Sequence, residues 1–256
     1  MLNANQYASS KKYEARIYLS KKFKTNSKPK YEWIFDHFPK SNNLKILELG
    51  CGTGLFWLAN RNNIIKSWSV ILSDYSEGML ETARKNLSGL DCAFQYEAIN
   101  AENIQYPDKT FDIILANNML YHLQNRAAAL NNLSRILKNT GIFIASTMGK
   151  NDLFELHNHL YVFLESKNNK FKFRELSFSL DNGEEQLAGH FEKVILEKHE
   201  NKLKINESDA IVNYYLSFNG IHDNAVVLPE EYVNDFRTYL QGILEKEKIT
   251  ELSHSE

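Results

Sequence analysis

The sequence has little of several features that would assign it to a class of protein at once. Only Cys51 and Cys92 are cysteines among 256 residues, too few for a disulfide framework or a structural zinc site. No run of about eighteen apolar residues is present, so we expect no membrane span. The first residues lack the charged and apolar regions of a signal peptide. These absences favour a cytoplasmic protein without a metal site.

The chain also lacks a strong net charge. Its 30 Lys and Arg residues and 32 Asp and Glu residues give a net charge of −2, which disfavours nucleic-acid binding through overall charge. Residues 11–30 nevertheless hold one acid, Glu14, against Lys11, Lys12, Arg16, Lys21, Lys22, Lys24, Lys28 and Lys30. This segment is either a solvated helix face, a lid over an anionic substrate or a cofactor carboxylate, or a patch for non-specific contact with nucleic acid.

Short apolar runs alternate with helical stretches between about residues 44 and 147. The runs typical of strands cover residues 44–49, 69–73, 93–98, 111–116 and 142–146. Apolar residues at helical spacing occupy residues 55–62, 76–87 and 126–137, with Ser76 as a helix N-cap. This alternation predicts a parallel sheet with helices on both faces.

After residue 150 the alternation ends. The pattern predicts helices over residues 152–166, 184–191, 208–217 and 230–246, and a hairpin that pairs residues 193–197 with 202–205. We therefore divide one domain into a helical N-terminal lid segment (1–43), a cofactor-binding core (44–147), a helical cap in the substrate region (148–192), and a final strand pair with C-terminal helices (193–256).

Gly50, Gly52 and Gly54 lie between the first strand and the first helix. Glycine there lets the backbone turn sharply and approach a ligand, as in nucleotide-binding loops. Dinucleotide-binding loops have the spacing G-x-G-x-x-G, whereas Leu55 follows Gly54 here. An NAD-dependent oxidoreductase is therefore only a remote alternative.

A carboxylate stands on each side of this loop. Glu48 lies inside an apolar strand, where a buried charge is costly unless it is paired. Either a cationic group such as an ammonium, held directly or through water, or backbone hydrogen bonds would satisfy it. Asp74 ends the second strand, where it could accept both hydroxyls of a ribose or cap the helix before Ser76.

Together with later motifs, these residues resemble a known family. Asn100-Ala101-Glu102, Phe111-Asp112 and the run from Asn117 to His122 follow in the expected order. Over about residues 44–147 the chain resembles a class I S-adenosylmethionine-dependent methyltransferase of the UbiE/type-11 methyltransferase-domain group. The resemblance implies a Rossmann-like, doubly wound, mostly parallel seven-stranded α/β sheet, a helical N-terminal segment, and a small helical cap after the fifth strand. It also implies S-adenosylmethionine as methyl donor and S-adenosylhomocysteine as product.

The resemblance assigns a role to each motif. The residues implied to lie along the methionine and the ribose are Glu48, Gly50, Gly52 and Gly54, and Asp74 would bind the ribose hydroxyls. Tyr75 and Met79 would flank the adenine, and Asn117 would lie near the methionyl part. Asn100 would meet the adenine amino group, and the backbone of Ala101 its ring nitrogen. The family usually has aspartate at the place of Asn100, so we expect weakened rather than lost binding.

Methyl transfer from a sulfonium requires mainly that the protein align the reactants and exclude water. A base is needed only if the acceptor carries a proton, and Tyr121 and His122 are the candidates. His122 could equally be structural, and Tyr121 a wall of the pocket. Of His157 and His159, which point to different helix faces, at most one would line the acceptor pocket. Arg16 could clamp the methionine carboxylate or be a surface charge.

The sequence also restricts the acceptor. Many enzymes that methylate bases carry Asn/Asp-Pro-Pro-Tyr/Phe after the fourth strand, but residues 117–120 contain no proline. Arsenite methylation needs more thiols than two. We therefore predict transfer to a small molecule by in-line displacement, without a nucleic-acid or membrane partner, by a monomer or a homodimer. A non-catalytic, methyltransferase-like protein that binds the cofactor or acts as a scaffold is the alternative.

Overall fold

The computed structural model describes residues 11–171, 175–220, 226–247 and 250–255. These residues form two compact units. The first comprises Lys28–Met148 and Ser177–Glu197, and the second comprises the described parts of Leu2–Ser27, Gly149–Leu176 and Lys198–Glu256. The division of the chain at residues 43, 147 and 192 stays a prediction.

The first unit is built on a five-stranded parallel sheet. In chain order its strands are β1 (Lys45–Leu49), β2 (Ser69–Asp74), β3 (Ala93–Ala98), β4 (Phe111–Asn117) and β5 (Leu137–Ser146). Their spatial order is β3-β2-β1-β4-β5. The strand order reverses between β1 and β4, and in such sheets ligands bind outside the carboxyl ends of the strands at this point.

Helices cover both faces of this sheet. They are α2 (Lys30–Phe35), α3 (Leu55–Ala59), α4 (Glu77–Leu87), α5 (Arg126–Ile136) and α7 (Gly183–Ala188). Alternate residues of β1 enter different cores: Ile46 packs in the cluster of Trp57 and Leu80, and Leu47 packs in the cluster of Leu130. The α/β Rossmann-like fold and its five predicted strands are confirmed, and Ser76 caps α4 by accepting from the backbone N–H of Met79.

The second unit is mostly helical. It contains α1 (Lys11–Phe23), α6 (Phe154–Ser166), α8 (Ser208–Leu216) and α9 (Val233–Glu247) around one apolar cluster. The strands β6 (Glu200–Ile205) and β7 (Thr250–Ser255) pair antiparallel in a separate sheet. No described helix of either unit is long and apolar enough to cross a membrane.

The hairpin prediction was wrong. Residues 193–197 form no strand, and β6 pairs instead with β7. An apolar run reveals that a strand can form but not which distant run completes its hydrogen bonds. Among the described residues the parallel sheet therefore has five strands, and the seven-stranded sheet is not found.

A partly buried histidine lies against the core of the second unit. Nδ1 of His157, on α6, is 3.1 Å from the hydroxyl of the fully buried Tyr215 on α8. Burial lowers the pKa of His157 to about 4. The imidazole is therefore held neutral in the folded protein at pH values where it would be protonated in the unfolded chain.

We predict that acid destabilises this unit through His157. The unfolded chain binds more protons between about pH 6.5 and pH 4, so the free energy of unfolding falls by about 2–3 kcal/mol as the pH drops through this window. Denaturant titrations of the wild type and of His157→Asn, an uncharged side chain, measure the difference. Equal losses of stability in the two proteins would contradict the prediction.

Candidate functional site

The loop between β1 and α3 has a left-handed backbone at three positions. Gly50, Gly52 and Gly54 have φ values of 65°, 56° and 77°. A Cβ at Gly50 would lie 2.9 Å from Cβ of Met119, and one at Gly54 would lie 2.9 Å from Cδ1 of Leu87. Glycine is therefore needed both for the turn and for the close packing of the loop against its neighbours.

Asp74, at the end of β2, holds the glycine loop in place. One carboxylate oxygen accepts from the backbone N–H of Gly52 at 2.9 Å, and the other accepts from that of Ser76 at 2.9 Å. Burial raises the pKa of Asp74, and these backbone donors oppose the rise. Each carboxylate oxygen has a further lone pair, so Asp74 can tie the loop to the start of α4 and still accept ligand hydroxyls.

Glu48 on β1 is a buried carboxylate with two neutral donors. Only 1% of the residue is exposed. Oε2 accepts from the indole Nε1 of Trp57 at 2.7 Å, and Oε1 accepts from Nδ2 of Asn117 at 3.2 Å. Burial raises the pKa of Glu48 to about 7 against the effect of these two donors, and the charge of Asp74 adds to the rise. The donors are side chains, not the backbone groups of the sequence-based alternative.

The polar chain continues into β5. Oδ1 of Asn117 accepts from the hydroxyl of Ser146 at 3.1 Å. Ser146, Asn117, Glu48 and Trp57 thus form one hydrogen-bonded series across neighbouring elements, in which Glu48 and Trp57 are buried and Asn117 and Ser146 partly buried. A network that includes a buried carboxylate favours one orientation of its members, because leaving a buried polar group unpaired is costly.

Asn118, directly after β4, was missed as a site residue. Its φ is 48°, a left-handed value rare outside glycine, and its N–H donates to the carbonyl of Ser146 at 3.0 Å. Its Oδ1 is buried without a hydrogen-bond partner. A strained backbone and an unpaired buried oxygen in one residue are features of functional sites. No local sequence pattern predicts the left-handed backbone or the unpaired oxygen of Asn118.

The residues assigned to the adenine lie beyond the ends of β2 and β3. Tyr75 is 61% exposed, whereas Met79 and Ala101 are buried. Oδ1 of Asn100 accepts from the N–H of Glu102 at 2.9 Å, so this oxygen closes its own turn. The N–H of the preceding residue, Ile99, donates to the carbonyl of Asp74, which holds the turn beside the end of β2.

Tyr121 and His122 belong to a one-turn helix, Leu120–His122, and their ring centroids are 4.5 Å apart. Nε of Arg126 donates to the backbone carbonyl of Leu120 at 3.0 Å, and the hydroxyl of Ser177 donates to the backbone carbonyl of Tyr121 at 3.2 Å. The backbone of this helix is therefore tied down from two sides.

Three further candidates belong to the second unit. The guanidinium carbon of Arg16 is 5.3 Å from the ring centroid of Phe218, and the ring of His159 lies against that of Tyr239. His157 contacts Tyr215 as described above. The roles suggested for Arg16, His157 and His159 at the cofactor or the acceptor stay predictions.

These side chains suit a nucleoside that carries an amino acid. Asp74 can accept vicinal hydroxyls, Glu48 can accept an ammonium group, and the exposed ring of Tyr75 can stack on a flat heterocycle. The glycine loop allows a close backbone approach. Within the described ranges, no group of three or more His, Cys, Asp and Glu residues could hold a metal ion.

Comparisons with known proteins agree with this geometry. Residues 47–145 match the family model of the methyltransferase domain. The ubiquinone/menaquinone biosynthesis C-methyltransferase UbiE of Xanthomonas campestris is 32% identical over 96 residues, which are 37% of this chain and 38% of that protein. The malonyl-[acyl-carrier protein] O-methyltransferase 2 of Ilyobacter polytropus is 29% identical over 152 residues, 58% of each chain.

Solved structures show the same fold. A SAM-dependent methyltransferase from Aquifex aeolicus has a TM-score of 0.53 at 16% identity, over 72% of this chain and 87% of that one. The MccD protein has a TM-score of 0.53 at 18% identity, over 87% of this chain and 94% of that one.

The fold and the site thus define a Rossmann-like α/β domain with a glycine loop at the carboxyl edge of its sheet. Residues 47–145 form a methyltransferase domain of the class I S-adenosylmethionine-dependent group. The matched part spans less than two thirds of the length of these curated relatives.

We predict that Glu48 lowers stability as the pH rises. Its pKa of about 7 in the folded protein exceeds the usual 4.5, so the folded state binds more protons between these values and the free energy of unfolding decreases with rising pH. The stability of Glu48→Gln relative to the wild type should therefore increase by about 2–3 kcal/mol from pH 5 to pH 8, measured by denaturant titration.

Glu81→Gln is the matched control. The hydrogen bond from Lys85 already lowers the pKa of the exposed Glu81, so its stability relative to the wild type should stay constant over the same range. A constant difference for Glu48→Gln as well would show that Glu48 does not bind its proton near neutral pH.

Proposed function

We propose that this protein transfers the methyl group of S-adenosylmethionine to a small-molecule acceptor. The observation that carries the proposal is the left-handed glycine loop, which lies between the buried carboxylate of Glu48 and the partly buried carboxylate of Asp74 at the ends of β1 and β2. The methyltransferase-domain match over residues 47–145 supports it.

The same residues define how the donor is held. Asp74 accepts the ribose hydroxyls, Glu48 faces the ammonium group, and the glycine loop passes beneath the methionyl and ribosyl parts. Tyr75 and Met79 flank the adenine, while Asn100 and the backbone of Ala101 meet its edge. The bound cofactor supplies an electrophilic methyl group on a sulfonium.

The protein aligns the acceptor with the methyl group, excludes water and, for a protonated acceptor, supplies a base. Asn117 is fixed near the methionyl part by its bonds to Glu48 and Ser146. His122 accepts the proton of the acceptor, and the ring of Tyr121 forms a wall beside it. The tethers from Arg126 and Ser177 keep both side chains on a fixed backbone, which is what in-line displacement requires.

A small-molecule acceptor is favoured by the net charge and by the names of two of the relatives. The net charge of −2 gives no general attraction to nucleic acid. The relatives are named as a C-methyltransferase of ubiquinone/menaquinone biosynthesis, an O-methyltransferase of malonyl-[acyl-carrier protein] and an N-methyltransferase of phosphoethanolamine. Because these names differ in the methylated atom, the methyltransferase domain does not specify that atom here.

A non-catalytic protein that binds the cofactor is the second candidate. It is favoured by Asn100, which replaces the family's aspartate and whose Oδ1 accepts from Glu102. This engagement weakens the hold on adenine without preventing binding, because a carbonyl oxygen has two lone pairs.

We predict that Asp74→Asn weakens S-adenosylmethionine binding about 10- to 100-fold, because one charge-assisted bond to the ribose is lost. Asparagine keeps one oxygen for the backbone, whereas alanine would leave two amides unpaired. Calorimetry measures the affinity, with the exposed Asp91→Asn as control. Unchanged affinity would remove Asp74 from the site, and tight binding of NAD instead would overturn the proposed cofactor.

We also predict turnover. With methyl-labelled S-adenosylmethionine and a metabolite extract, the protein should form S-adenosylhomocysteine only when the extract is present, and mass spectrometry should find the label in one small molecule. Cofactor binding without acceptor-dependent product would favour the non-catalytic alternative.

A further inference from the structure

We propose that Trp57 is a positioning residue for the cofactor: its indole N–H holds the Glu48 carboxylate in the orientation that receives the ammonium group. This inference rests on the proposed function. It assigns a role to a residue of α3 that no motif in the sequence had marked.

The packing of the surrounding core fixes the side chain of Trp57. It is fully buried, and its ring packs edge-on against those of Phe38, Phe56 and Phe94 at centroid distances of 5.4–6.3 Å. Because this packing leaves the indole little freedom, Nε1 stays aimed at Oε2 of Glu48, 2.7 Å away. The aromatic core therefore orients the Glu48 carboxylate through the indole N–H of Trp57.

The second oxygen of Glu48 is held as well. Nδ2 of Asn117 donates to Oε1 at 3.2 Å, so the plane of the carboxylate is defined by one donor on each oxygen. Each oxygen keeps a lone pair that neither donor uses. The remaining capacity suits a group with several N–H donors, which is what an ammonium offers.

Both hydrogen-bond donors to the Glu48 carboxylate are neutral. Among the described residues, no Lys or Arg contributes to the electrostatics of Glu48, and the facing titratable groups are Asp74 and Cys51. Burial raises the pKa of the Cys51 thiol, so it stays neutral. A cationic side chain would cancel the charge of Glu48, whereas an indole stabilises the ionised form and leaves that charge for a ligand.

Tryptophan also suits this task chemically. The indole N–H is a donor only and does not titrate, so it prefers the ionised carboxylate at every pH. Its loss should make Glu48 harder to ionise and therefore make cofactor binding require a higher pH.

The test compares two buried tryptophans. Trp68 is also buried in this core, and its Nε1 donates at 2.7 Å to a backbone carbonyl, that of Ser41. Trp57→Phe and Trp68→Phe thus remove the same atoms and one N–H each, but only the first loses a bond to a carboxylate. Calorimetry with S-adenosylmethionine from pH 6 to pH 9 should show about tenfold weaker binding for Trp57→Phe near pH 7.5, with its pH midpoint about one unit higher.

Trp68→Phe should bind like the wild type. In a Glu48→Gln background, Trp57→Phe should cause no further loss, because there is no carboxylate left to orient. Equal affinities and equal pH midpoints for the two single variants, in a wild type that binds the cofactor, would overturn this inference alone. A wild type that binds no S-adenosylmethionine at any pH would overturn the proposed function and the inference with it.

A second measurement, an NMR titration of the wild type, needs neither a ligand nor a variant that folds. The chain has three tryptophans, so its indole N–H signals in a ¹⁵N-resolved NMR spectrum are few enough to follow. The Trp57 signal should shift as Glu48 titrates near pH 7, while that of Trp68, bonded to a carbonyl, should not. A Trp57 signal that is constant from pH 5 to pH 9 would overturn the inference even if Trp57→Phe failed to fold.

Discussion

A carboxylate inside the apolar centre of a parallel sheet is the constraint around which the site is arranged. Removing such a charge from water costs several kcal/mol unless hydrogen bonds replace the lost solvent. Glu48 meets this requirement with an indole from the following helix and an amide from the neighbouring strand. Burial nevertheless raises the pKa of Glu48 to about 7, so the two neutral donors offset only part of the cost of burying its charge.

The remaining elements of the site depend on the same edge of the sheet. Asp74 ties the glycine loop to the start of α4, so the residue proposed to bind the ribose also maintains the loop that lies beneath it. Gly50 leaves room for Met119, and the residue before Met119, Asn118, keeps a left-handed backbone and an unpaired buried oxygen. The left-handed backbone and unpaired oxygen of Asn118 and the buried charge of Glu48 are features that lower stability and that are common at ligand-binding sites.

The match to the methyltransferase-domain family covers only part of this chain. The family match ends at residue 145, and the second unit has its own aromatic core, in which Phe163, Tyr215 and Phe236 lie close together. The matched part contains the glycine loop and the residues proposed to bind the cofactor, whereas the relatives' names differ in the methylated atom, which is carbon, oxygen or nitrogen. We therefore expect residues outside the match to distinguish the acceptor.

Local chemistry determined much of this protein from the sequence alone. The five parallel strands, the cap at Ser76 and the left-handed glycine loop follow from patterns within a few residues, because periodic burial and backbone freedom are local properties. Only the tertiary structure decided which residues bond to Glu48 and which strand pairs with β6. Trp57 and Asn117 lie 9 and 69 residues from Glu48, and β6 pairs with the distant β7 instead of the adjacent run at residues 193–197. Hydrogen bonds between remote segments depend on how the chain packs, so the sequence showed that Glu48 needed partners, and only the fold showed which residues they are.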